Sequence, residues 1–123
     1  MTNAADPGIL NHVVEHESER LDALFHALSH PTRRGMLRQL AEHECSVGEL
    51  AEPYAMTFAG ASKHVQVLER AGLVRRSVQG RIHLCRLDPA PIRAGAEWMR
   101  YYERFWTERL DRLEELLRKE DEA

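Results

Sequence analysis

The stretch TFAGASKHVQVLERAGLVRRSVQGRIHLCRL, residues 57–87, reads as a helix, a stop and two short strands in immediate succession. Thr57 is a helix N-cap type, and Ala61, Val65 and Leu68 fall on one face of a helix running from about Phe58 to Ala71. Gly72 follows where the backbone commonly turns left-handed after a helix. Residues 73–78 and 81–87 are then rich in Val, Leu, Ile and Arg around Gln79-Gly80, the pattern of an antiparallel hairpin. Arg75, Arg76 and Arg81 cluster near its tip.

Upstream, Ser46-Val47-Gly48-Glu49 has the capping-box spacing, and Pro53 stops the short helix it opens. Joined through Tyr54-Ala55-Met56, this helix and the next form a helix-turn-helix. With the hairpin added, the fold class is mainly α with a small β-hairpin wing: a winged helix-turn-helix. Pro31 suits the first position of a preceding helix, in which Leu37, Leu40 and Ala41 line one side and Met36 sits at the edge. Gly35 within it leaves room for a neighbouring helix. Leu21, Leu24, Phe25 and Leu28 predict an amphipathic helix over 18–29. Before it, Pro7-Gly8 is a breaker, and Ile9, Leu10, Val13 and Val14 suffice for a turn or two of helix or a frayed arm.

Downstream, Asp88 caps a last helix with Pro89 or Pro91 in its first turn. Its apolar stripe is Ile92, Met99, Tyr102, Trp106, Leu110, Leu113 and Leu117, widened by Trp98, Phe105 and Leu116. A helix of roughly 28 residues is about 42 Å long, more than a domain of this size can cover. The surplus apolar surface, together with Leu21, Leu24 and Phe25, is expected to form a homodimer interface. The expected organisation is an N-terminal arm (1–17), a DNA-binding domain (18–88) and a C-terminal dimerisation helix (89–123).

A chain of 123 residues, 43% hydrophobic and 30% charged, supports one core and is not disordered by composition. No run of 18 apolar residues and no signal-peptide pattern is present, which points to the cytoplasm and away from a membrane. The net charge of −3 disfavours a nucleic-acid partner only when averaged over the whole chain. Residues 57–87 hold six basic residues against Glu69 alone, while the segments on either side are net acidic. A basic island on two adjacent elements is the electrostatic footprint of a DNA-facing surface.

The major groove admits a helix whose donors and acceptors distinguish base pairs, while phosphate contacts position the protein. Ser62, Lys63 and Gln66 lie off the packing face and are the candidates for groove contact; Thr57 and Arg70 are the candidates for phosphate. Ala59 and Gly60 allow close approach or form an irregular cap. His64 stands beside Lys63 and reads either as a DNA contact or as a locally packed side chain. Arg75, Arg76 and Arg81 on the wing reach the flanking backbone or minor groove.

The segments Ala27-Leu-Ser-His-Pro-Thr-Arg-Arg34, Ser46-Val-Gly-Glu-Leu-Ala51, Ser62-Lys-His-Val65 and Leu68-Glu-Arg-Ala-Gly-Leu-Val74 resemble the ArsR family of bacterial repressors. Gly80-Arg81 followed by Leu87 resembles that family's wing, so the likeness covers roughly residues 20–87. The aromatic last helix resembles the branch often encoded beside START-like proteins. The resemblance implies a homodimer that represses its own operon; two winged helices related by the dimer axis then predict an imperfect inverted-repeat operator in double-stranded DNA.

Many members of that family release DNA on binding metal, through a Cys-Val-Cys unit or through Asp and His on the last helix. Here Ser46, Val47 and Gly48 occupy the first position, with Cys45 one residue out of register, and residues 89–123 contain no His. Two His pairs at i, i+4 spacing remain, His12 with His16 and His26 with His30, the second spoiled by the break at Pro31. No metal site and no cofactor are therefore expected, and an unknown small-molecule or protein effector is left open. No Gly-rich phosphate loop, HExxH or nucleophile elbow points to an enzyme. The competing readings are a winged-helix scaffold that binds proteins rather than DNA, and a metal-responsive or redox-responsive repressor, the latter using Cys45 and Cys85.

Overall fold

Helix α1 (Pro7–Leu28) ends at a Ser29-His30 break and is followed by α2 (Pro31–Glu42) in a computed structural model that describes the backbone of residues 7–122 and the side chains of residues 16–122. The start of α1 lies well before residue 18, with Pro7 at its first position rather than as a breaker. The side chains of Ile9, Leu10, His12, Val13 and Val14 lie outside the described residues. At the break, His30 Nδ1 accepts the Thr32 N–H at 3.1 Å and caps α2, so a histidine does the work usually given to Ser or Asp.

A two-residue strand, β1 (Cys45–Ser46), precedes α3 (Val47–Ala51) and a 3-10 turn at Glu52–Tyr54. Ser46 closes the strand and also caps the helix. Its hydroxyl accepts from Glu49 N at 3.1 Å, and Glu49 accepts from Ser46 N at 2.9 Å, the reciprocal capping box that the spacing predicts. The Ser46 amide holds the Glu49 carboxyl below the usual range.

Helix α4 (Phe58–Arg70) starts at Thr57, whose hydroxyl accepts the Gly60 N–H, and ends before Gly72 at φ 75°. Strands β2 (Val74–Gln79) and β3 (Ile82–Leu87) form the hairpin, with Gly80 at φ 64° in the turn. The sheet has three strands in the order β1-β3-β2, both pairs antiparallel. The short strand β1 is an addition to the predicted hairpin. It puts Cys45 opposite Cys85 and covers one edge of β3.

Leu24, Ala27, Met36, Leu37, Leu40, Val47, Leu50, Ala61, Val65, Leu68, Leu73 and Val74 make one core with the two cysteines. Met36, placed at the edge of α2 by its spacing, is fully buried, whereas Ala41 is exposed. The space over Gly35 belongs to Tyr54 from the 3-10 turn rather than to a neighbouring helix, and a Cβ there would collide with the Tyr54 hydroxyl. Leu24 is only 2% exposed within the protomer. It is a core residue and cannot belong to a subunit interface; Leu21 and Phe25, on either side of it, are half-buried.

The chain divides into two compact units between Ile92 and Arg93. Asp88 accepts the Ala90 N–H at 3.0 Å and opens α5 (Ala90–Glu122), a helix of 33 residues. At about 1.5 Å per residue it runs to about 50 Å, longer than its apolar stripe alone predicts. Along it, Met99, Tyr102, Trp106, Leu110, Leu113 and Leu117 are all exposed. Trp98 packs its ring against Tyr102 at 4.5 Å, and the Arg109 guanidinium lies 4.2 Å over Phe105. No helix among the described residues is long and apolar enough to cross a membrane.

Candidate nucleic-acid interface

Helix α4 packs through Ala61, Val65 and Leu68, a row that recurs every three or four residues and leaves the opposite side uncovered. Lys63, Gln66 and Arg70 are exposed on that side, Ser62 is half-exposed, and Thr57 is exposed at the helix start. These residues present, in order from the helix start, a hydroxyl, a second hydroxyl, an ammonium, a carboxamide and a guanidinium. Such a row offers a hydroxyl, an ammonium and a carboxamide to base edges, with a hydroxyl and a guanidinium at its two ends for phosphate. Phe58 is also exposed at the first turn, an apolar residue that the sequence reading left unassigned.

The wing separates its three arginines. Arg81 is exposed in the turn beside Gly80. Arg75 points to the outer face of the sheet, 70% exposed, and donates to Asp88 at 3.1 Å; the Ala90 amide first, and then Arg75, keep the Asp88 carboxyl below its usual range. Arg76, one residue on, turns to the inner face with 14% exposure and is consumed by Glu69 at 2.8 Å and by His83 at 3.2 Å. Arg76 is therefore a strut between α4 and the sheet, and its assignment as a DNA contact is corrected. The alternation of side chains along a strand, which puts neighbours on opposite faces, is the physical reason.

His64 is likewise turned inward. Its ring lies 4.6 Å from that of His30, and its Nδ1 is 3.3 Å from Arg33 Nη1. Arg33, unremarked in the sequence except within the motif it belongs to, is 7% exposed. Its other nitrogens donate to the carbonyls of Ala27 at 2.8 Å and His26 at 2.9 Å, closing the open end of α1. Arg34 does the same for Leu28 from the surface, at 2.7 Å. The tripeptide His30-Pro31-Thr32 between them signals the break, but nothing local signals that Arg33 spans it.

A helix-turn-helix domain family model matches residues 28–77, from the break through the first half of the wing. The HTH-type transcriptional regulator Rv2034 of Mycobacterium tuberculosis is 34% identical over 89 residues, 72% of this chain and 80% of the relative. A solved ArsR family transcriptional regulator, RHA00566, is 34% identical and superposes with a TM-score of 0.71 over 73% of this chain and 93% of its own. The chain belongs to the ArsR family of transcriptional regulators. A further ArsR-like regulator, from Rhodococcus sp. RHA1, superposes with a TM-score of 0.74 at 26% identity, over 82% of this chain and 93% of its own. The transcriptional repressor SdpR of Bacillus subtilis is 25% identical over 64% of this chain and 88% of its own. For this ArsR-family chain the fold is a winged helix-turn-helix and the function is DNA-binding regulation of transcription.

Proposed function

We propose that this regulator is a cytoplasmic homodimer that represses its own operon, each protomer laying α4 into the major groove of one half of an imperfect inverted repeat. The observation that carries the reading is the fate of Glu69. It is the lone acid of residues 57–87, and its pairing with Arg76 leaves the outward row of α4 and the wing turn free of negative charge. Ser62, Lys63 and Gln66 read bases, Thr57 and Arg70 hold phosphates, and Arg81 with Arg75 flanks them from the wing. The dimer forms through Met99, Tyr102, Trp106, Leu110, Leu113 and Leu117 of α5 and the half-buried Leu21 and Phe25 of α1. Support for this lies in six large apolar side chains on one helix that its own unit leaves exposed.

We also place the chain in the branch found beside START-like proteins, on the aromatic run Trp98, Tyr102, Phe105-Trp106. Its release from DNA is assigned to a small-molecule or protein effector rather than to a metal, because the family's ligand positions hold other residues. The test is a footprint on DNA flanking the chain's own gene. It should show two protected half-sites whose centres lie about 34–36 Å apart, or a multiple of that. Replacing Gln66 by Ala should then relax preference at one or two positions, by about 1–3 kcal/mol for a lost bidentate contact. A footprint without symmetry, or a Gln66→Ala protein with unchanged preference, removes the dimeric reading or the base-reading role respectively.

A further inference from the structure

Arg33 is a buried cation whose partners are two carbonyls at the end of α1 and one imidazole nitrogen on α4, rather than a carboxylate. Guanidinium groups carry no acceptor, so the 3.3 Å contact requires a bare Nδ1 on His64 and puts the proton of the neutral ring on Nε2. The same ring leans on His30, whose own Nδ1 caps α2. One side chain, Arg33, thus links the end of α1, the start of α2 and the middle of α4.

We propose that His64 is a positioning residue: its unprotonated Nδ1 holds α4 against Arg33, and protonation of the ring releases that hold and weakens DNA binding. This rests on the reading of α4 as the DNA-facing helix. A proton on Nδ1 would leave Arg33 Nη1 without its acceptor and set two like charges side by side. Among the described residues, the charged and titratable groups that shift the ring are His30 from the cap of α2 and Arg33 from α2 itself, and neither is an acid. Burial first, then His30 and Arg33, push the imidazole below its ordinary pKa, in keeping with a site built for the neutral form. The sign of the pH response separates this role from a direct contact. An imidazolium touching phosphate would strengthen binding as the solution is acidified, whereas a broken strut weakens it.

The experiment uses a duplex selected in vitro from a random pool by the wild-type protein, titrated between about pH 7.5 and about pH 5.5, the range in which histidine changes charge. His64→Asn keeps an acceptor near the place of Nδ1, while His64→Gln keeps only a group near Nε2. At neutral pH the Asn variant should retain most of the affinity. The Gln variant should lose a factor of roughly three to thirty, the range for residues that modulate a site without touching the ligand. Its slope of log affinity against log salt should stay at the wild-type value, since no phosphate contact is lost. Acidification should weaken the wild type more than the Asn variant; the acid response that survives in the Asn variant belongs to His30 and the other histidines. Stronger wild-type binding at low pH relative to the Asn variant, or Gln rescuing where Asn does not, would overturn the proposal. Failure of the wild type to select any duplex would instead overturn the DNA-facing reading and this proposal with it.

Discussion

Cys45 and Cys85 stand directly opposite one another across the β1–β3 ladder, both free and both buried. Paired residues of an antiparallel ladder share a face, and this face lies on the core. Burial is the leading cause that raises both thiols, with Glu49 and Glu42 adding to it at Cys45. Thiolate, not thiol, is the nucleophile, so neither cysteine should alkylate readily in the native protein. Iodoacetamide labelling at neutral pH should be slow until denaturant is added, and native labelling at the rate of a free thiol would refute the buried assignment. Because the folded-state pKa values are raised, the stability due to these thiols is present below the unfolded value of about 8.5 and is lost as pH rises beyond it. The melting temperature should accordingly fall in that alkaline range, and by less in a double Cys→Ala protein.

Arg76 and Arg81 should part company when each is replaced by Ala. Arg81→Ala should weaken binding to specific and random duplexes alike and lower the salt slope by about 0.9 for one lost phosphate contact. Arg76→Ala should leave that slope alone and cost about 1–3 kcal/mol of folding stability, since it strips Glu69 of a charged partner. Salt-dependent affinity beside urea unfolding of both variants decides. A slope change in Arg76→Ala would return that residue to the DNA surface.

Trp106→Glu tests assembly. Burying an unpaired carboxylate in an apolar interface is strongly unfavourable. Sedimentation at micromolar concentration should show a dimer for the wild type and monomer or aggregate for the variant. An undisturbed dimer would take Trp106 out of the interface.

Gly35→Ala puts a methyl group into the place of the Tyr54 hydroxyl. Overpacking of this kind costs about 1–3 kcal/mol, set against the small gain in helix propensity. Tyr54→Phe removes the colliding oxygen, so the double variant should be more stable than Gly35→Ala alone. Independent, additive losses in a denaturation cycle would show that the two do not meet.

Much of this architecture is legible locally. The Ser46–Glu49 box, the Thr57 cap, the Gly72 stop and the Gly80 turn each depend on residues within three or four positions, so spacing alone reveals them. What escaped the sequence depends on partners far along the chain. Arg33 meets His64 across 31 positions, and β1 is too short for any periodicity to betray it before Cys85 pairs with it. Leu24 shows a second limit. An apolar stripe on a helix marks surface that must be covered, but not whether the cover is the same protomer or another. Arg76 shows a third, since six basic residues in a row of 31 give a net charge and no facing.

Ser46 is at once the last residue of β1 and the N-cap of α3. The two halves of the DNA-binding unit therefore are not interchangeable parts. Anyone grafting a wing from a relative onto this scaffold would also have to transplant the Cys45-Ser46 pair, or the incoming hairpin would pull on a helix tuned to a different sheet. For the same reason, insertions that lengthen the Gln79-Gly80-Arg81 tip should be absorbed where they occur, while a single residue inserted between His43 and Ser46 would shift the strand register and the helix start together.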